Sequence, residues 1–271
     1  MKYETLLVEK SGDLMTVTFN RPKILNALNK QMMLDIRDLL GKLRSDMDTR
    51  IVIFTGAGKA FSAGVEFSRQ AMQERYADPD LSNERLWQLF GQDFMQAMES
   101  LEQVTIAAVN GVSIGGGMCL AMNCDFRILS EKALFGIPEA ALGIFFTWGA
   151  TPRLTCLIGP AKAKELIMTS DPIDAQESLR IGLANKVVPH EQLMPACLEL
   201  TQKIRTKGPL AIRICKKQVN AASVARMADL YPLEPELVEY IMVSGQAEEG
   251  ARSFIEKRIP VFKSQQPDFQ L

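Results

Sequence analysis

Apolar positions along the chain alternate between two periods. Leu6-Leu7-Val8 and Met15-Thr16-Val17-Thr18-Phe19 are short runs rich in strand formers, with Ser11-Gly12-Asp13 between them, which predicts a hairpin. Asn20-Arg21-Pro22 ends the second run. Met32, Met33, Ile36, Leu39, Leu40 and Leu43 then recur at helical spacing with charges between them, predicting an amphipathic helix that ends between Gly41 and Asp46. Ile51-Val52-Ile53-Phe54 and the apolar run from Thr105 to Val109 read as buried strands, as does Phe126-Arg127-Ile128-Leu129. Ala133 to Phe135 and Ala184 to Val188 are shorter strand candidates. Leu86, Phe90, Phe94, Ala97 and Leu101 mark one face of a long helix, after a polar loop over Asp78 to Asn83. From Thr151 onward the pattern is mostly helical, punctuated at Gly159-Pro160, Asp171-Pro172 and Gly208-Pro209. From about residue 200 the helices have no strand partner, so they must bury their apolar faces on the main domain or on another subunit. Alternation followed by helices alone predicts an α/β core with strand-to-strand crossovers and a helical C-terminal part.

Composition narrows the class. A hydrophobic share of 47% across 271 residues supports a packed core, and a net charge of −1 gives no nucleic-acid surface. No apolar run reaches the length of a membrane span, and the opening Met1-Lys2-Tyr3-Glu4 has no signal-like apolar core, so the expected compartment is cytoplasmic. The five cysteines (Cys119, Cys124, Cys156, Cys197 and Cys215) form no C-x-x-C pair, which argues for a reducing environment and against a zinc site. The single histidine, His190, follows Val187-Val188-Pro189 and reads as the entry to a helix. Any Ser-His, Cys-His or His-metal chemistry would rest on that one residue.

Three stretches stand out as candidate chemistry. Val109-Asn110-Gly111 through Gly115-Gly116-Gly117 joins the central strand to an apolar helical run, Met118 to Met122. Glycines at such a junction allow close approach to the unpaired N–H groups of a helix start. No Gly-Lys-Ser/Thr follows and the spacing is not G-x-G-x-x-G, so neither phosphate motif applies. Ala60-Phe61-Ser62-Ala63-Gly64 is a second strand-turn junction. If the two turns face each other, one amide from each can hold a single oxygen, as in an oxyanion hole. Glu139 follows Pro138 inside the apolar stretch Phe135 to Phe146. It is either a solvated turn residue or a carboxylate in an apolar pocket, suited to moving protons.

Together these motifs resemble the crotonase superfamily, the enoyl-CoA hydratase/isomerase family. Asn20-Arg21-Pro22-Lys23 with Leu25-Asn26-Ala27-Leu28 resembles its CoA-contacting motif. Ala60 to Gly64 resembles its first oxyanion loop. Asn110-Gly111 through Gly117, with Leu120 to Asp125, resembles its central signature. Phe135 to Glu139 with Leu142-Gly143, and Glu249-Gly250 through Phe254-Ile255-Glu256-Lys257-Arg258, complete the set. The resemblance implies a spiral of ββα units over residues 1–200 and a helical C-terminal region, 201–271, that supports a homotrimer or a dimer of trimers. It implies an acyl-CoA thioester as substrate, coenzyme A entering as part of that substrate, and no separate cofactor or metal. Ala63 and Gly116 would supply the oxyanion amides and Glu139 the acid/base. Lys23, Leu25, Ala27, Ser62, Gly64, Cys119 and Trp148 would line the substrate site, with Lys257 or Lys263 as further candidates for the CoA phosphates.

Two departures from the family pattern matter. Its hydratases usually carry a first glutamate where this chain has Cys119, and a thiol is a weak hydrogen-bonding group beside a carboxylate. The segment after Leu142-Gly143, usually rich in glycine, is here Ile144-Phe145-Phe146-Thr147-Trp148-Gly149. Its rings either pack in the core or dry the pocket. A single glutamate suits transfer of a double bond from the 3- to the 2-position, which needs one base. Glu66 stands near where the family often has an aspartate, as a second carboxylate or a surface charge. The alternatives are hydration of a cyclic or branched enoyl-CoA, thioester hydrolysis through Cys119 or Glu139, and acyl-CoA binding without turnover.

Overall fold

The computed structural model describes residues 2–68, 81–224, 234–243, 245–258 and 260. β1 (Leu6–Ser11) and β2 (Leu14–Phe19) form the expected antiparallel hairpin, in register from Leu6↔Phe19 to Ser11↔Leu14. α1 (Lys30–Ser45) begins at Asn29, whose side chain accepts the Met32 N–H at 2.9 Å, and buries the six apolar residues that defined it.

The chain then winds between two sheets. β3 (Ile51–Gly56), β5 (Val104–Val109), β7 (Phe126–Ser130) and, later in the chain, β10 (Lys186–Val188) enter a six-stranded sheet of order β1-β2-β3-β5-β7-β10, parallel from β2 onward. Each of the first three is followed by a short strand that enters a second sheet: β4 (Ala60–Ser62), β6 (Val112–Ile114) and β8 (Leu134–Gly136). α2 (Leu81–Glu99) precedes β5, and α3 (Gly116–Met122) separates β6 from β7. This is the expected spiral of ββα turns. β6, of three residues, and β9 (Ile173–Asp174, antiparallel to β8), of two, escape pattern reading, since so short a segment displays no period of its own.

The continuous apolar runs are explained by burial on both faces. Val52, Phe54, Ala107 and Val109 face a cluster shared with α1, while Ile51, Ile53, Ile106 and Ala108 face a second cluster. That second cluster is closed by Leu193, Ala196, Cys197 and Ile204 of α7 (Leu193–Arg205), which follows α4 (Ala150–Ile158), α5 (Pro160–Thr169), α6 (Ala175–Arg180) and β10 (Lys186–Val188). α7 therefore runs through position 200. Beyond it come α8 (Pro209–Val224), α9 (Glu234–Val243), which packs along α2, and α10 (Gln246–Glu256), which packs on the turn after Glu139. None of the described helices is long and apolar enough to cross a membrane.

Two expectations change. Leu81, Ser82 and Asn83 are not loop but the opening of α2, since a polar sequence is equally compatible with a helix; residues 78–80 lie outside the described residues. The buried face of α2 is also rotated. Leu86 is exposed, whereas Gln88 and Gln92 are buried beside Phe94, Met95 and Met98.

Candidate active site

The site begins with a bend that the sequence builds from Leu25 and Asn26, both in the left-handed backbone region at φ 54° and 56°. Asn26 tolerates that conformation and is fully buried. Its Oδ1 accepts the Arg21 N–H at 2.9 Å, and its Nδ2 donates to Ala57 O and Ala60 O at 2.9 and 2.7 Å. The bend lays residues 25–28 against the loop after β4. Ala63 N–H donates to Leu25 O (2.9 Å), Leu28 N–H to Gly64 O (2.7 Å) and Glu66 N–H to Leu28 O (2.9 Å). Ser62 Oγ donates to Asn26 O (2.8 Å) and accepts the Gly64 N–H (3.2 Å). Among the described residues nothing accepts a hydrogen bond from Val65 N–H, which is left over when its neighbours have been used.

This corrects one expectation. The Ala63 amide is spent on Leu25, so it is not free to hold a substrate oxygen. The free amide of that loop lies two residues on, at Val65.

The second turn meets the first. β4 and β6 are parallel neighbours, with Ala60 opposite Val112 and Ser62 opposite Ser113. A Cβ placed on Gly64 would stand 3.3 Å from the Gly116 nitrogen, so the two loops touch. Gly115 turns β6 into α3 at φ 51° and ψ −118°, a conformation open to glycine alone. Gly116 is the first residue of α3, where N–H groups have no intrahelical acceptor, and no acceptor for it exists among the described residues.

Glu139 approaches from the third turn of the spiral. It caps a 3₁₀ turn, Ala140–Leu142; Leu142 N–H reaches Pro138 O and Glu139 O at 3.0 Å, and Ile144 N–H reaches Glu139 O at 2.9 Å. A Cβ on Gly115 would lie 2.6 Å from Glu139 Oε1, so the glycine is also what admits the carboxylate. Oε2 is shut away from solvent and has no hydrogen-bond partner among the described residues. Burial pushes the carboxyl up to about 7, a shift only partly offset by its own backbone N–H.

These groups line one cavity of about 430 Å³. Val65, Gly116 and Glu139 contribute to it, as do Ala27, Gly64, Cys119 and Trp148 of the expected substrate-lining set. Cys119 stands on α3 one turn beyond Gly115 and is 3% exposed. Phe146 and Trp148 form an apolar wall, and Trp87 meets Trp148 edge to face at 6.4 Å. Phe145 does not line the cavity.

Three of the expected substrate residues stand elsewhere. Ser62 is fully buried with its hydroxyl committed to the Asn26 bend, so its role is to hold the loop. Lys23 and Leu25 are exposed on the turn that carries Ile24, which does line the cavity. Glu66 lines the cavity but is paired with Arg21 at 2.9 Å. Lys257 is exposed at the end of α10, and Lys263 lies outside the described residues. His190 is bonded to Ser130, Nδ1 to Oγ at 3.0 Å, and does not line the cavity, so it offers Cys119 no base.

A family model described as enoyl-CoA hydratase/isomerase matches residues 9–265. The chain belongs to this family. The crotonyl-CoA hydratase of Syntrophomonas wolfei is 39% identical over 259 residues, covering 95% of this chain and 97% of that one. Among solved structures, an enoyl-CoA hydratase from Bacillus anthracis matches with a TM-score of 0.75 at 32% identity, covering 96% of this chain and 99% of that one. A monofunctional enoyl-CoA isomerase from M. smegmatis matches with a TM-score of 0.67 at 32% identity, covering 81% and 93%. Within the family, then, this fold accompanies names on both sides of the division between hydration and isomerisation.

Sequence reasoning missed Val65, Gln88, Trp87 and Phe254 as cavity residues. Val65 has no side-chain signal, because its contribution is a backbone N–H left over by its neighbours' bonds. Gln88 carried one: a polar residue that turns out buried on the inner face of a helix.

Proposed function

We propose that the protein is an acyl-CoA enzyme that moves a double bond from the 3- to the 2-position of an enoyl-CoA thioester, with Glu139 as its single acid/base. The observation that carries this reading is the buried Glu139 carboxyl, its Oε2 without a hydrogen-bond partner among the described residues, in a cavity where the position expected for a first carboxylate is Cys119. A base poised near pH 7 suits abstraction and return of a proton at neutral pH. The Val65 and Gly116 N–H groups donate to the thioester oxygen and stabilise the negative charge that develops on it. Glu139 takes a proton from C2, the C–H electron pair forms the dienolate, and the same carboxyl returns the proton to C4. Phe146 and Trp148 hold water back from the intermediate.

The experiment is turnover of a 3-enoyl-CoA by two variants. Glu139→Gln is expected to lose about 10²–10⁴-fold in kcat, the range of general acid–base catalysis. Cys119→Ala is expected to stay within about threefold, because it removes no proton-transfer group. A fully active Glu139→Gln enzyme sinks the reading.

The names of the relatives favour a second reading, hydration of an enoyl-CoA, in which other groups replace the missing carboxylate. A product heavier by one water would establish it. Hydrolysis through Cys119 is the weaker alternative and would release free CoA thiol. Lys23 and Lys257, both exposed, are our candidates for the CoA phosphates. Leu210, Ile214 and Val219 leave exposed apolar surface on α8, which supports self-association as a trimer or a dimer of trimers. Five free cysteines suit a reducing cytoplasm.

A further inference from the structure

The cavity has an open end and a closed one. Ile24 and Phe254 line it and are exposed, Phe254 at 59%. Phe146 and Trp148 line it and are buried, Trp148 at 4%. The charged nucleotide end of a CoA thioester is too costly to bury among such residues, so it stays on the exposed side and the acyl end faces Phe146 and Trp148.

Trp148 shuts the closed end, because its ring spans the gap between α2 and α3. On one side, a Cβ on Gly91 of α2 would stand 2.1, 2.3 and 2.4 Å from the indole Nε1, Cδ1 and Cε2. On the other, a Cβ on Gly116 of α3 would stand 2.9 Å from Cζ3 and 3.4 Å from Cη2. The five-membered ring therefore rests on α2, and the six-membered ring reaches the residue whose N–H is proposed to hold the thioester oxygen. Glycine inside a helix is unfavourable beside alanine, and at position 91 the indole occupies the place of the absent methyl group. Trp148 itself is held at φ 59°, a left-handed conformation that a bulky residue rarely adopts. Backbone strain of this kind persists where the surroundings over-determine it, and it gathers at ligand sites. Trp87 packs edge to face on the indole and buttresses it.

We infer that Trp148 is the floor of the acyl pocket and confines the substrate to short acyl chains, ending within a carbon or two of C4. This rests on the acyl-CoA reading above and specifies its substrate class. The proposed reaction needs the thioester oxygen at the Gly116 amide and C4 within reach of Glu139. The indole already stands beside Gly116, so a longer tail runs into the ring. Trp148 then sets specificity through its volume and takes no part in proton transfer.

The test compares 3-hexenoyl-CoA with 3-dodecenoyl-CoA in D2O, following deuterium exchange at C2 and the kcat/KM of each. The wild-type enzyme is expected to favour the shorter chain about tenfold or more. Trp148→Gly, in which glycine accepts the left-handed backbone without strain, is expected to raise kcat/KM for 3-dodecenoyl-CoA about tenfold in absolute terms, and Trp148→Phe to raise it less. A wild-type enzyme that takes the longer chain as readily as the shorter overturns the inference. So does a folded Trp148→Gly variant that lowers both substrates by the same factor, the mark of a purely structural residue. The wild-type ratio and Trp148→Phe decide the matter if Trp148→Gly does not fold. Exchange at C2 in both substrates without a chain-length preference removes the floor and leaves the acyl-CoA reading intact. No exchange with either removes both.

Discussion

The carboxyl of Glu139 sits where its charge is least welcome. Glu139 shares its cavity with Pro138, Ile144 and Trp148, its carboxyl lies beside Gly115, and burial raises it to about 7. The unfolded chain ionises this residue near pH 4.3, so the fold loses stability as pH climbs from about 4 to 7, by roughly 4 kcal/mol once past 7. Below about pH 4 both states hold the proton and the cost disappears. Glu139→Gln, which is never charged, is therefore expected to be more stable than wild type by up to roughly 4 kcal/mol at pH 8 and nearly equal to it at pH 4. Urea unfolding at the two pH values decides this; the same difference at both would remove the desolvated carboxyl from the account. The activity profile has a matching sign. Proton abstraction needs the ionised form, so kcat/KM should rise through a single apparent pKa near 7 and level off above it, and a profile flat from pH 5 to 9 would contradict that.

Among the elements, the bend at Leu25-Asn26 decides where the first loop stands. Asn26 makes three hydrogen bonds from full burial, and the residues beside it consume the Ala63 and Glu66 amides, leaving Val65 N–H available. Asn26→Ala removes all three and places alanine at φ 56°, so a loss of roughly 2–4 kcal/mol in urea unfolding is expected, together with a fall in kcat. A variant as stable as wild type would show that the bend is held by other contacts. Here the limits of sequence reading are also visible. The α1 stripe and the central strands were legible because burial imposes a period on them. The meeting of the two glycine turns was legible through the motifs, but the identity of the free amide was not. Ala63 and Val65 differ only in which carbonyl lies opposite, and that follows from the left-handed bend rather than from either side chain. Leu86 was misjudged, and Gln88 passed over, for a related reason. A long helix with polar residues on several sides has more than one plausible inner face until its neighbours are known.

The whole molecule gathers its site from distant stretches of chain. Three turns of the spiral each contribute a loop, carrying Val65, Gly116 and Glu139, while α2 and α10 add Gln88 and Phe254 to the cavity wall. Glu139 was legible as an acidic residue in an apolar stretch, but its depth depends on Gly115, which sequence alone does not bring beside it. α8 remains with Leu210, Ile214 and Val219 outward, and Ile214→Lys is expected to shift the mass seen by light scattering towards the monomer. An unchanged mass would move the contact elsewhere. The most direct measurement of the central claim is incubation of the enzyme with a 3-enoyl-CoA in D2O, read by mass spectrometry and NMR. A double bond shifted to the 2-position, with deuterium at the α- or γ-carbon and no added water, is the predicted result. A product heavier by one water would contradict the single-base account and make Cys119 no barrier to hydration.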